Sequence, residues 1–221
     1  MDHPEVLDCA GGLLDYYGYQ FERGRGEKPS RRNEVGEIFY AKGASMLLKR
    51  EVLEKTGLFD PELFMYFDEV DLCWRIWLSG YQVVYAPAST VYHASGSTAS
   101  KLQAQTRLFF YTRNHIRILL KNYSLANAAK AVAVSVLFET RNMALSLVRR
   151  SPLVALAIMK GFLWNLAHLK NAWMQRQVVQ RHIRKVTDEK IRQQMLQPYP
   201  PLPLYFVFSR SMYQRKHRTA S

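Results

Sequence analysis

Apolar positions in the first hundred residues come in short blocks, separated by glycine, proline and charge. The block Ile38–Leu48, IFYAKGASMLL, is apolar and aromatic and predicts a buried strand, with Gly43 marking a bulge or a close backbone approach. KREVLEKTG predicts a short helix with Val52 and Leu53 inward and Gly57 as its stop. LFDPELF predicts a turn fixed by Pro61. DLCWRIWLSG predicts a helix running from an Asp68 N-cap to Gly80, with Glu69 and Asp71 in its first turn. YQVVYAP alternates, is β-branched, and predicts a short strand closed by Pro87. STVYHASGSTAS reads as a second extended piece that dissolves into a loop, and RGRGEKPSRRNEVGE as a long exposed loop.

From about Lys101 the pattern changes. Glycine nearly vanishes and a helical period takes over, predicting helices over roughly 102–121, 125–148, 152–180 and 181–196, with a break at SPL, 151–153. Their apolar faces carry Lys, Arg and Trp at the margins. Lys130, Glu139, Arg141, Arg149, Arg150, Lys160 and Lys170 interrupt the apolar runs. None reaches the roughly 18 uncharged residues a membrane span needs, so no transmembrane helix is expected. Residues 197–221 form a Pro-rich and aromatic tail expected to be partly disordered.

Charge sharpens this division. The net charge is +13, yet residues 1–100 hold 10 Lys/Arg against 15 Asp/Glu, and residues 101–221 hold 21 against 3. Two modules with different neighbours are expected, 1–100 and 101–196. The basic one needs an acidic partner. No nucleic-acid-binding motif is present, so nucleic acid is set aside and an anionic membrane surface is the expected partner. An ordinary helical bundle remains the plainer reading of the same helices. Cys9 and Cys73 make neither a disulfide framework nor a metal knuckle, which fits a reducing compartment. MDHPEVLDCAGG lacks the pattern of a signal peptide.

The densest chemistry is FMYFDEVDLCWR, where Asp68, Glu69 and Asp71 follow an aromatic wall. Helix capping explains the acids, with Asp71 paired to Arg75 one turn on. A catalytic carboxylate, lifted in pKa by its apolar surroundings, explains them as well. Spacing does not choose. His93, between a strand and a small-residue loop, is a second candidate, structural or metal-binding.

The ordered run GASMLLKREVLEKTGLFDPELFMYFDEVDLCWRIWLSGYQVVYAPASTVYH resembles the C-terminal half of the GT-A domain of family 2 inverting glycosyltransferases, in particular a rhamnosyltransferase-like branch. The likeness covers about residues 6–100 and continues weakly through RNHIRILLKNY. It implies an α/β fold, a partial GT-A (Rossmann-like) half-domain, followed here by the α-helical basic module. It implies Glu69 as the catalytic base and Asp68 as the first acid of the pair, and because the pair is reversed here both acids stand as candidate catalytic residues. Asp71 would hold acceptor or local structure, with Arg75 following it, and Gly43 and Ala44 would lie on a strand lining the acceptor side. His93 would help hold Mg²⁺ or Mn²⁺ or the leaving diphosphate.

The implied partners are a nucleotide-sugar donor and a lipid-linked or polysaccharide acceptor. The implied place is cytoplasmic, peripheral at the inner face of the cell membrane. Two departures stand out. The family's Glu-Asp order is reversed to Asp68-Glu69, and the strand-rich donor-binding half with its Asp-x-Asp metal motif is not visible. The expectation is a C-terminal piece that does not turn over alone. The rival expectation is a non-catalytic remnant that binds a membrane or a partner chain.

Overall fold

The computed structural model describes residues 5–93 and 101–196. The predicted tail beyond 196 and the small-residue loop after His93 lie outside the described residues.

The β part is small. β1 (Gly12–Leu14) and β2 (Gln20–Glu22) form an antiparallel hairpin with Gly12 opposite Glu22. Asp15 makes its turn by accepting the Tyr17 and Tyr19 N–H groups, at 2.9 and 2.8 Å, an Asx-type turn. β3 (Gly36–Glu37) pairs antiparallel with β4 (Val84–Tyr85). The alternating YQVVYAP block therefore does form a strand, though only two residues join it. Residues 89–93 form none.

The predicted strand Ile38–Leu48 is corrected. Only its start finds backbone partners. Ile38 N–H donates to the Val83 carbonyl, and Phe39 N–H and the Tyr40 carbonyl both bond Gly12. Beyond Lys42 the chain turns back, with Ser45 N–H donating to the Lys42 carbonyl, and Leu47 is fully exposed. Gly43 and Ala44 are exposed, and a Cβ at Gly43 would meet nothing within 4 Å. The close approach belongs to Gly12 instead, where a Cβ would fall 2.0 Å from the Tyr40 ring.

α1 (Arg50–Thr56) ends at Gly57, φ 75°, as expected. α2 (Asp68–Leu78) is the central helix, with every residue from Val70 to Leu78 buried. An interior helix is apolar all round, and Asp71 and Arg75 break that rule only because they are paired. Asp68 is not the N-cap. It is the first helical residue, and Phe67 holds the cap position in the left-handed conformation with no side-chain cap.

α3 (Ala104–Asn122) and α4 (Leu125–Val148) match the predicted periods. The predicted helix over 152–180 is two helices, α5 (Pro152–Ala167) and α6 (Leu169–Val178), bent by 65°. His168 makes the break. It leaves helical dihedrals, its Nδ1 lies 2.8 Å from the Trp164 carbonyl, and its ring stacks on Trp164 at 4.0 Å. Val179–Ile183 continues as a π-helical turn. Arg184 is then extended, and α7 (Asp188–Arg192) restarts with its own Thr187 cap, much shorter than the predicted 181–196 helix.

One apolar core crosses residue 100. It joins Phe39, Trp74 and Trp77 to Ile118, Leu119, Tyr123, Val179 and Ile191. Trp74 is its centre, edge-on to both Phe39 and Tyr123, and the Trp77 indole donates to the Phe39 carbonyl at 3.0 Å.

Candidate active site

The three acids of the aromatic-acidic block part company in space. Asp71 points into the protein and is wholly buried. Its carboxylate accepts from Arg75 Nε at 3.0 Å, Lys121 Nζ at 2.8 Å and Asn122 Nδ2 at 2.9 Å. Burial alone would raise its pKa, but Lys121 and Arg75 outweigh it and hold Asp71 below the usual value. Lys121 also bonds Asp60 Oδ2 at 2.7 Å, and Arg117 approaches the same oxygen at 3.4 Å. Arg75 turns its guanidinium onto the carbonyls of Thr56, Gly57 and Leu58, at the C-terminus of α1 where a cation is favoured. Asp71 and Arg75 thus form a buried, paired hub of the fold.

Asp68 and Glu69 stay half-buried at the start of α2. Glu69 is pushed up to about 8, first by burial, then by its hydrogen bond to Asp68 and the charge of that neighbour. The helix backbone and Lys42 act against the rise without cancelling it. Facing the pair is the segment after β3. Lys42 donates to Glu22 Oε1 of β2 at 2.6 Å. Burial would lower the Lys42 pKa, but Glu22 and Glu69 leave it raised and charged. Tyr40 is fully buried, its hydroxyl has no partner among the described residues, and burial pushes its pKa up. Cys73, one turn along α2, is raised to about 12 by burial and is inert. Glu69, Asp68, Lys42, Glu22 and Tyr40 therefore form one electrostatic set. A carboxyl poised near neutrality in such a set can accept a proton from a hydroxyl.

The backbone leading into this pair is unusual. Tyr66 (φ 65°) and Phe67 (φ 67°) are both left-handed, and neither is glycine. Each costs about 1–2 kcal/mol relative to the ordinary backbone. Strain of this kind concentrates at functional sites.

His93 does not join the acids. It is 45% exposed, and its Nδ1 lies 3.7 Å from Asp8 Oδ2. No group of three His, Cys, Asp or Glu able to hold a metal occurs among the described residues. His93 and Asp8 alone do not fit a divalent cation, which needs more oxygen or nitrogen ligands. Gly43 and Ala44 lie on the exposed turn just past Lys42 and form no lining strand.

The sequence model of the Glycosyltransferase like family 2 matches residues 4–118. The chain belongs to that family. Comparison with curated proteins and with solved structures found no match. Membership implies sugar transfer with a nucleotide-sugar donor and an acceptor. The matched span ends inside α3, at the helix that supplies the partners of Asp71. Reading the sequence missed Lys42 and Glu22. Their only linear sign is a lysine just before Gly43 and an acid in a strand twenty residues earlier.

Proposed function

We propose that this chain carries the acceptor-activating side of an inverting glycosyl transfer, with Glu69 as general base. The raised, half-buried Glu69 beside Asp68 and Lys42 carries the reading. An acceptor hydroxyl would lose its proton to Glu69 as its oxygen attacks the anomeric carbon, while the bond from that carbon to the donor's diphosphate breaks and the nucleotide diphosphate leaves with the bonding pair. Asp68 then shares the proton. The reversed order relative to the family's usual pair makes the base one methylene longer, at the first turn of α2.

The acceptor side faces a membrane in this reading. α4 leaves Leu125, Val136, Leu137, Leu147 and Val148 exposed, and α5 leaves Leu153, Leu156, Met159, Leu163 and Leu166 exposed. These positions fall on one stripe of each helix, and contiguous exposed apolar surface of this kind marks a partner or membrane surface. Between Leu125 and Ile183 the only acid is Glu139, and it is buried, whereas Lys130, Arg141, Arg149, Arg150, Lys160, Lys170 and Arg181 are exposed. Apolar surface rimmed by cations alone is complementary to an anionic bilayer.

Against the expectation of no such segment, α4 is long and apolar enough to cross a membrane by length and composition. Its inner face, however, carries Ser135, Glu139 and Ser146 packed inside the fold, and Ser135 bonds His115 of α3. An in-plane docking of α4 and α5 keeps those contacts. A lipid-linked acceptor at the cytoplasmic face suits this arrangement, and a rhamnosyl-type transfer is the finer assignment from resemblance.

The test is replacement of the cell's own copy by Glu69→Gln. Loss of the glycan product, with the chain still folded and membrane-bound, is expected. An unchanged product would leave the non-catalytic remnant as the better reading. Separately, Leu137→Asp with Leu163→Asp should weaken binding to anionic vesicles about a hundredfold. Binding indifferent to those changes, to salt and to lipid charge would sink the membrane reading.

A further inference from the structure

The left-handed pair before Asp68 needs something to hold it, and the holder is on α3. Asn114 is wholly buried, and its side-chain Nδ2 donates to two successive carbonyls, Met65 at 2.7 Å and Tyr66 at 2.9 Å. In extended backbone, successive carbonyls point to opposite sides. The helical sense at Tyr66 turns both the same way, so a single amide reaches both. Its Oδ1 accepts from Arg113 Nε at 2.7 Å, which fixes which end of the amide faces the turn. Arg113 is itself anchored on the Glu62 carbonyl and lies against the Phe110 and Trp164 rings. The neighbouring His115 stacks on Phe67, ring centres 5.3 Å apart and planes 18° from parallel. It is held in turn by the Tyr17 carbonyl and Ser135.

We propose that Asn114 is a positioning residue whose amide holds the Met65–Phe67 turn left-handed and so places Glu69 against Asp68 and Lys42. The proposal rests on the reading of Glu69 as the base. Without that clamp the turn has cheaper right-handed or extended conformations. α2 would then begin at a different angle, and Glu69 would move towards water. Asn114 touches no reacting atom and acts only through the turn.

The groups facing Glu69 are Asp68 on its own helix, Lys42 and Tyr40 from the segment after β3, and Cys73 one turn along α2. None of them is itself replaced by a change at Asn114, and Lys42 and Tyr40 lie outside the turn and α2. A shift of Glu69 in such a variant therefore reports its placement.

The experiment is a carbon-13 NMR titration of the glutamate carboxyls in the full chain, with Glu69 assigned by its loss in Glu69→Gln. The wild type, Asn114→Ala, and Asn114→Ala combined with Tyr66→Gly are compared, each with its thermal midpoint. Glu69 should titrate high in the wild type. In Asn114→Ala it should fall towards the ordinary glutamate value of about 4.3. Adding Tyr66→Gly should raise it again and recover part of the lost thermal midpoint, because glycine takes the left-handed conformation without steric cost. A Glu69 that titrates alike in the wild type and folded Asn114→Ala overturns the proposal. So does a double variant no better than the single.

If Asn114→Ala does not fold, recovery of folding by Tyr66→Gly supports the clamp and its absence overturns it. An ordinary Glu69 in the wild type would sink the base reading instead. The thermal midpoints then decide alone whether Asn114 holds the turn.

Discussion

Asp71 and Glu69 stand two residues apart on one helix, and their surroundings drive them in opposite directions. Asp71 loses all contact with water but gains Arg75, Lys121 and Asn122, and stays ionised below its usual pKa. Glu69 loses less water but meets another carboxyl, and its proton is held to about 8. Burial raises both; partners decide the outcome. The difference separates a carboxylate that holds the fold together from one free to exchange a proton. The residue type and its place in the acidic block do not reveal which is which.

The largest effect expected is at the hub. Asp71→Ala leaves Arg75 buried without its carboxylate and Lys121 with Asp60 alone, and about 3–5 kcal/mol of stability should be lost in denaturant unfolding. A loss under 1 kcal/mol would mean that Asp71 is not the hub. At Glu69 the contrast should reverse. Glu69→Gln should lower transfer by about 10²–10⁴-fold while unfolding stability at neutral pH holds or rises, since a desolvated acid is replaced by a neutral amide. A variant as unstable as Asp71→Ala would erase the distinction between the two sites.

Stability against pH sharpens it further. The native chain keeps the Glu69 proton that the unfolded chain releases above about 4.3. Stability from this group therefore falls as pH rises from there to about 8. The depressed Asp71 works the other way. Its contribution is present above about 3.9 and is lost as pH falls through its lower native value. Glu69→Gln should flatten the decline between about 4.3 and about 8 and leave the loss at lower pH that belongs to Asp71 unchanged, as read from thermal midpoints across pH. The smallest effect is expected from Lys42→Met. Removing that cation should move the Glu69 titration upward, because Lys42 lowers it.

Much of the architecture is legible in the sequence where local rules dominate. Gly57 and Gly80 end α1 and α2, Pro61 sits in a tight turn, and the periods of α3 and α4 give their extents closely. Misreadings arise where a distant partner decides. IFYAKGASMLL has strand composition throughout, yet backbone partners exist only for Ile38 to Tyr40. His168 looks like one more helical residue until its ring folds onto Trp164.

The basic residues of α3 look like a surface property in the sequence alone. In fact Arg113, Arg117 and Lys121, four residues apart, form one buried stripe that meets the Glu62 carbonyl, Asp60 and Asp71. That spacing was present in the sequence, but its acidic partners lie about fifty residues away. Of the candidate site, the Asp68–Glu69 pair could be picked out from the chain alone. Lys42, Glu22 and the Asn114 clamp could not, because each acts across a contact that no local pattern announces.

The most direct measurement is the pH dependence of sugar transfer in membranes from cells that carry the chain. With Glu69 as the base, the rate should climb from mildly acid to mildly alkaline pH and level off above about 8, and Glu69→Gln should remove that climb. A rate already level above the ordinary carboxylate range, or a climb that persists in Glu69→Gln, would contradict the account.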